Sequence, residues 1–192
     1  MYVDDIVYIG SRKELMTEFK SNMMNRYEMT NLGLLHHFLS MRILQTENGI
    51  FIGEKKYVVS LLGKCGLKSC KPVSTSLVTN EKLCKNDGSD STDERVYRQI
   101  MGNLLYVTAT RIDITFDASL LARFMHCSTK KHLEITKRVM RYIQGTIDYE
   151  IEFEKGKQAI LIDYYDIDWS GSEDDMNRTF GYAFTFSSGV FS

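Results

Sequence analysis

Apolar residues recur at helical spacing in five stretches of the 192-residue chain and at strand spacing between and around them. Met16, Phe19, Met23 and Tyr27 form the first stripe, which predicts a helix packed under a sheet. Ser11-Arg12-Lys13-Glu14 ahead of it has the form of a capping box, whose hydroxyl and carboxylate satisfy backbone N–H groups at a helix start. Tyr57, Val58, Leu61, Leu62 and Cys65 follow Lys55-Lys56 as a shorter stripe, stopped by Gly66. Tyr97, Ile100, Met101, Leu104, Leu105 and Thr108 make the third; Phe116, Leu120, Leu121, Phe124 and Met125 the fourth; Leu133, Thr136, Val139, Met140 and Ile143 the fifth, ended by Gly145. Three such helices in succession predict a small bundle.

The strand signals lie at the two ends and near residue 45. Tyr2-Val3-Asp4-Asp5 followed by Ile6-Val7-Tyr8-Ile9 places two acids between β-branched and aromatic runs, the pattern of a tight hairpin with a charged tip. Residues 37–46 and 50–53 flank Glu47-Asn48-Gly49, where Asn-Gly predicts the positive φ angles of a second hairpin. Tyr149 to Phe153, Ile160 to Tyr165 and Tyr182 to Phe186 predict a small sheet. Between Pro72, the chain's one proline, and about Glu94 the composition turns to Ser, Thr, Asn, Asp and Gly, which predicts a mobile linker. The fold class is α+β.

With 43% apolar residues the chain can bury a core in one or two domains, which excludes a disordered protein. A formal charge of −1 provides no global basic field, so contact with nucleic acid must come from local patches. Cys65, Cys70, Cys84 and Cys127 have no Cys-x-x-Cys pairing and no secretory leader precedes them, so free thiols in an intracellular, non-secreted protein are expected. No apolar run approaches the roughly 20 residues that span a bilayer.

Two features could carry chemistry. Asp4 and Asp5 on a rigid turn could ligate Mg²⁺ beside a phosphate, with Tyr2 against a sugar or base, although four such residues alone are also the pattern of an ordinary acidic turn. Lys130, Lys137 and Arg141 share one face of the fifth stripe's helix, with Lys131 and Arg138 adjacent and the apolar stripe opposite. That face could track a phosphate backbone or be plain solvated surface. His36 and His37 point to opposite faces of a strand, and Asp87, Asp90, Asp93 and Glu94 lack the spacing of a calcium loop, so neither set predicts a metal site.

Tyr2-Val3-Asp4-Asp5 resembles the catalytic hairpin of reverse transcriptases, and the following blocks resemble copia-type retrotransposon Pol polyproteins in order along almost the whole chain. Asn31-Leu32-Gly33 through His37-Phe38-Leu39-Ser40 is similar to the family's Asp-Leu-Gly to Tyr-Phe-Leu-Gly segment, and Cys70-Lys71-Pro72-Val73-Ser74-Thr75 to its linker. Tyr97-Arg98 through Tyr106, Thr108 to Arg111, and Lys137 to Thr146 match further blocks. Asp166-Ile167-Asp168-Trp169-Ser170-Gly171 resembles the first strand of the family's RNase H domain. Departures are Ser76 and Ile112 in place of prolines, and Tyr165 and Ile167 in place of small residues around Asp166.

The resemblance implies a partial reverse-transcriptase palm at 1–53, thumb or connection helices at 54–146 with a linker at about 73–94, and the start of an RNase H-like sheet at 147–192. It implies RNA-directed DNA synthesis with RNase H cleavage, Mg²⁺ or Mn²⁺ at Asp4, Asp5 and Asp166, and an RNA template, DNA primer or RNA–DNA hybrid as partner, with the basic helix face beside it. Further carboxylates of both two-metal sites lie in other segments of the family's polyprotein, so the expectation is a catalytically incomplete fragment that binds metal weakly. A non-catalytic nucleic-acid-binding module and an inert fragment that self-associates through unpaired strand edges are the alternative expectations.

Overall fold

The computed structural model describes residues 6–78, 83–158, 160–168 and 179–191, with only the backbone of residues 166–168 and 179–181. The chain divides into two compact units, Met1–His36 and His37–Ser192.

The first unit contains helix α1, Lys13–Arg26. Its N-cap is Arg12, in extended conformation and without a side-chain hydrogen bond, so the capping box expected at Ser11 does not form. No residue of α1 is buried: Met16 and Met23 are half-buried, and Phe19 and Tyr27 are exposed. The expected packing under a sheet is absent because this unit has no strand among its described residues. Phe19 instead meets Tyr8, ring centroids 5.3 Å apart.

The second unit begins with an antiparallel sheet of β1 (His37–Phe38), β2 (Met41–Gln45), β3 (Gly49–Gly53) and β4 (Ile151–Glu154), in that order. The second hairpin stands where the sequence predicts it, but positive φ angles occur at Leu39 (46°) and Ser40 (67°), in the two-residue turn joining β1 to β2, and not at Asn48 or Gly49. The β2–β3 turn is closed by Thr46, whose N–H donates to Gly49 O at 2.8 Å and whose Oγ1 accepts the Gly49 N–H at 3.1 Å. Gly49 is needed for a different reason: a Cβ there would lie 2.4 Å from the Phe153 carbonyl oxygen on β4.

Strand β4 corrects the expected C-terminal sheet. Residues 151–154 pair with β3 (Ile50 opposite Phe153), while β5 (Leu161–Asp168), β6 (Thr179–Phe186) and β7 (Gly189–Phe191) form a separate antiparallel sheet. Glycines at 49 and 53 leave β3 without side chains where β4 arrives, and a short strand pairs with whichever edge admits it. Ser188 covers the other edge of β4, accepting the Glu154 N–H at 2.6 Å and donating to Glu152 O at 3.1 Å.

Four helices supply the core: α2 (Lys55–Lys64), α3 (Glu94–Val107), α4 (Thr115–Ala122) after a 3₁₀ turn at Ile112–Ile114, and α5 (Lys130–Gly145). Leu61, Leu62, Tyr97, Met101, Leu104, Ile114, Leu121, Val139, Met140 and Ile143 pack together almost fully buried, each side chain contributing about 1.5–3 kcal/mol. Helix α2 ends as predicted at Gly66, whose φ of +68° lets the Leu67 N–H reach Leu62 O at 2.8 Å. Leu105 and Phe116, members of predicted stripes, are exposed, and Val107 and Ala118 take the core positions.

Between α2 and α3 lies the stretch read from the sequence as a linker, with no helix or strand among its described residues. Its later part is nevertheless tied down: Leu83 is buried, Thr92 N–H donates to Ser128 O at 3.0 Å, and Lys130 N–H donates to Asp90 O at 2.8 Å. The first turn of α5 has N–H groups without helical partners, and this stretch supplies acceptors for them. The four cysteines are free thiols, and no helix among the described residues is long and apolar enough to cross a membrane.

Candidate nucleic-acid interface

Tyr2, Asp4 and Asp5 lie outside the described residues. Asp166 lies within β5, its backbone opposite Gly181, and the strand continues to Asp168 where the sequence predicts an end at Tyr165. Among the described residues no group of three or more His, Cys, Asp or Glu side chains is placed to hold a metal ion. The residues that resemblance assigns to metal are therefore Asp4, Asp5 and Asp166, to which the described side chains add no ligand set.

Helix α5 is built from its N-terminus. Thr129 is extended, its Oγ1 accepts the His132 N–H at 3.4 Å, and its own N–H donates to His132 Nδ1 at 3.1 Å, a capping box closed by histidine. The Thr129 hydroxyl donates onward to Asp87 Oδ2 at 2.7 Å. Burial pulls the Asp87 carboxyl upward, but hydrogen bonds from the Ser89 hydroxyl, Thr129 and the Ser89 N–H outweigh it and hold the group down at about 2. His132 is fully buried and stacks on Phe124 with centroids 4.0 Å apart. Neither His132 nor Asp87 carried a role in the sequence; the Thr-x-x-His spacing was the available signal, obscured because capping boxes are usually closed by Glu or Gln.

The predicted basic residues separate into different environments. Lys130 Nζ lies 2.6 Å from Asp90 Oδ2, an exposed pair that offsets its charge. Lys137 is exposed. Arg138 Nη2 donates to Thr75 Oγ1 at 2.8 Å and Arg141 Nε to Lys71 O at 2.8 Å, so both guanidiniums lie against the first part of the linker.

Arg111 fixes the other end of α5. It is 3% exposed, gives Nε and Nη2 to the two oxygens of Asp113 at 2.9 and 2.7 Å, and gives Nη1 to Thr146 O at 3.0 Å. Tyr142 donates to Asp113 Oδ2 at 2.8 Å, and the Tyr142 and Tyr149 rings lie 5.8 and 5.2 Å from the guanidinium carbon. Burial raises the Asp113 pKa, but Arg111 and Tyr142 overcome this and keep it below the usual carboxylate range. Ile112, where the resembled family has proline, is the first residue of the 3₁₀ turn, a position that a proline accepts because its N–H has no helical partner there. Ser76, at the other such position, hydrogen-bonds the buried Asp117.

A hollow of about 300 Å³ beside this clasp is lined in part by Glu150, Glu152 and Glu154. Its carboxylates disfavour phosphate there.

Comparison with known proteins places these features. Residues 1–79 match the family described as reverse transcriptase (RNA-dependent DNA polymerase). The chain is 35% identical over 182 residues to the retrovirus-related Pol polyprotein from transposon RE1 of Arabidopsis thaliana and 34% identical to that from transposon RE2, covering 95% of this chain and 12% of each polyprotein. It is also 32% identical to an uncharacterized mitochondrial protein of the same plant, covering 95% of this chain and 75% of that protein. The chain thus spans about one-eighth of the length of the Pol polyproteins it matches. No solved structure matches it at a significant level. Matched in order over nearly all its length, with the reverse-transcriptase region at its start, the chain belongs to the Pol polyproteins of copia-type retrotransposons.

Proposed function

We propose that this chain is the part of a copia-type Pol polyprotein that carries the catalytic hairpin of the reverse-transcriptase palm, the helices that follow it and the first strands of an RNase H-like domain. The match of residues 1–79 to the reverse-transcriptase family, which includes Tyr2-Val3-Asp4-Asp5, carries this reading. Asp4 and Asp5 hold Mg²⁺, with Mn²⁺ as a substitute, at the growing end of a DNA strand, and Tyr2 lies against the primer or nucleotide. Asp166 contributes one carboxylate to RNase H chemistry. Lys137 and Arg141, with Lys130 at the helix start, lie along the template–primer or the RNA–DNA hybrid. Other segments of the polyprotein are its partners, because two ions that clamp attacking and leaving oxygens need carboxylates from several strands.

The 192 residues alone are catalytically incomplete on this reading. Primer extension on an RNA template should stay at background with the isolated chain. Joined in frame to an upstream palm segment from the same family, the chain should extend primers with Mg²⁺, and Asp4→Asn should abolish the extension. Extension by the isolated chain, or by an Asp4→Asn fusion at the parent's rate, would overturn the assignment.

A further inference from the structure

We infer that a second hollow, between the end of α5 and the linker, is a stacking site for one unpaired nucleobase of a single strand, with the Tyr149 ring as its platform and Tyr142 as a second wall. This rests on the nucleic-acid reading given above and adds to it a contact to a base that the cations of α5 cannot supply.

The hollow has a volume of about 480 Å³ and is lined by Pro72, Val73 and Ser74 of the linker and, at the end of α5, by Tyr142, Gly145 and Tyr149 among others. Its walls are held by contacts of their own. Tyr142 donates its hydroxyl to Asp113 Oδ2 at 2.8 Å, and the Tyr149 N–H donates to Thr146 O at 3.1 Å. Pro72 packs so closely on α5 that a Cβ at Gly145 would lie 3.0 Å from the Pro72 Cβ. A site built in advance lowers the ordering cost of binding. Tyr149 is 58% exposed and lines both this hollow and the acidic one, whereas Arg111 lines only the acidic one. The guanidinium carbon, 5.2 Å from the ring centroid, therefore engages Tyr149 from the acidic side and leaves the linker side of the ring open. A cation on one face of an aromatic ring draws π density toward itself, so the other face attracts an electron-rich ring rather than a second cation. No ionised side chain lines the hollow, which suits the flat, uncharged face of a base. Arg141 gives its Nε to the carbonyl of Lys71, the residue before Pro72, so a guanidinium stands next to the uncharged hollow. Aromatic surface beside a cation is the combination that single-strand sites use, the ring for the base and the charge for the backbone. Glu150, Glu152 and Glu154 disfavour phosphate on the other side of Tyr149, which sets the side from which a strand approaches.

The test is binding of the whole chain, across a range of salt, to an RNA–DNA hybrid with a short single-stranded RNA overhang, to the same hybrid with an abasic overhang, and to the blunt hybrid. The parent should bind the base-bearing overhang at least about fivefold more tightly than the abasic one, the contribution of one stacked base at its lower end. Tyr149→Leu, its fold checked by circular dichroism, should erase this preference and leave the log–log salt slope unchanged, because a stacked base releases no counterions. Tyr149→Phe, which restores the ring without the hydroxyl, should keep the preference. Equal binding of base-bearing and abasic overhangs by the parent, a comparison that needs no variant, overturns the stacking site and leaves the nucleic-acid reading standing. A preference that persists in Tyr149→Leu, or an affinity that this variant lowers alike for all three ligands, overturns the role of the ring. Binding of none of the three by the parent overturns both readings. If the base preference is absent and a proline-rich peptide binds the parent but not Tyr149→Leu, the hollow belongs to a peptide partner and the nucleobase is overturned as its ligand.

Discussion

At φ 67°, Ser40 holds a left-handed backbone conformation that costs an ordinary L-residue about 1–2 kcal/mol and glycine almost nothing. The resembled family has glycine at this place, and the two-residue β1–β2 turn supplies the physical reason. Ser40→Gly should raise stability by up to about 1 kcal/mol, since glycine's greater freedom in the unfolded chain removes part of the gain. A shift of the urea midpoint to higher concentration at constant slope checks this. Glu54 presents the reverse case, a carboxylate only 3% exposed at the start of α2, with no partner for either oxygen among the described residues. Desolvation raises its pKa from 4.5 to about 7. The folded chain keeps a proton that the unfolded chain releases, so stability is highest below pH 4.5, falls as pH rises toward 7 and is level above that. Glu54→Gln should remove this fall and leave the protein more stable at pH 8 by up to about 3 kcal/mol, with little change at pH 4. An unchanged pH profile of unfolding would show that Glu54 is solvated. Neither the strain at Ser40 nor the burial of Glu54 was read from the sequence: the turn was expected at Asn48-Gly49, and a Glu before Lys55-Lys56 reads as surface.

At the scale of elements, the helices were the legible part, since their stripes report the face that meets the core. Their ends were less so. Ser11-x-x-Glu14 has the capping-box pattern and makes no cap, whereas Thr129-x-x-His132 makes one because Asp87 and Asp90 of the linker complete the first turn of α5. Strand β4 was predicted as a strand and joined to the wrong sheet, because period-two patterning gives a strand its faces and not its neighbour. The clasp of Arg111, Asp113 and Thr146 joins two elements 35 residues apart in sequence, and of its residues only Arg111 and Thr146 were visible, as members of matched blocks. Removing the arginine leaves the Asp113 carboxylate without its cation, so Arg111→Met should cost roughly 3 kcal/mol. Because the clasp orients the C-terminal end of α5, that variant should also weaken hybrid binding at temperatures where it remains folded. A stability loss below about 0.5 kcal/mol, the level of a neutral surface change, would mean that the clasp is not needed.

At the scale of the whole molecule, the question is whether the strands around Asp166 still support RNA cleavage. Two-metal hydrolysis needs several carboxylates converging on the same ions, and a single strand aspartate holds them too weakly to activate water. From residue 167 onward the chain offers Asp168 and the acids Glu173, Asp174 and Asp175, of which the last three lie outside the described residues. Strand β5 pairs in register with β6 over its full length, Asp166 opposite Gly181 and Asp168 opposite Thr179, so the sheet that carries the aspartate is formed. What distinguishes this chain from its family is bulk: Tyr165 is 78% exposed beside Asp166, and Ile167 follows, where the resembled family has small residues. The isolated chain should therefore leave the RNA strand of an RNA–DNA hybrid intact with either Mg²⁺ or Mn²⁺, and Tyr165→Gly/Ile167→Ala alone should not change that, because ligands would still be lacking. Cleavage above the level of a mock purification, lost in Asp166→Asn, would show instead that the chain assembles a working site from its own carboxylates.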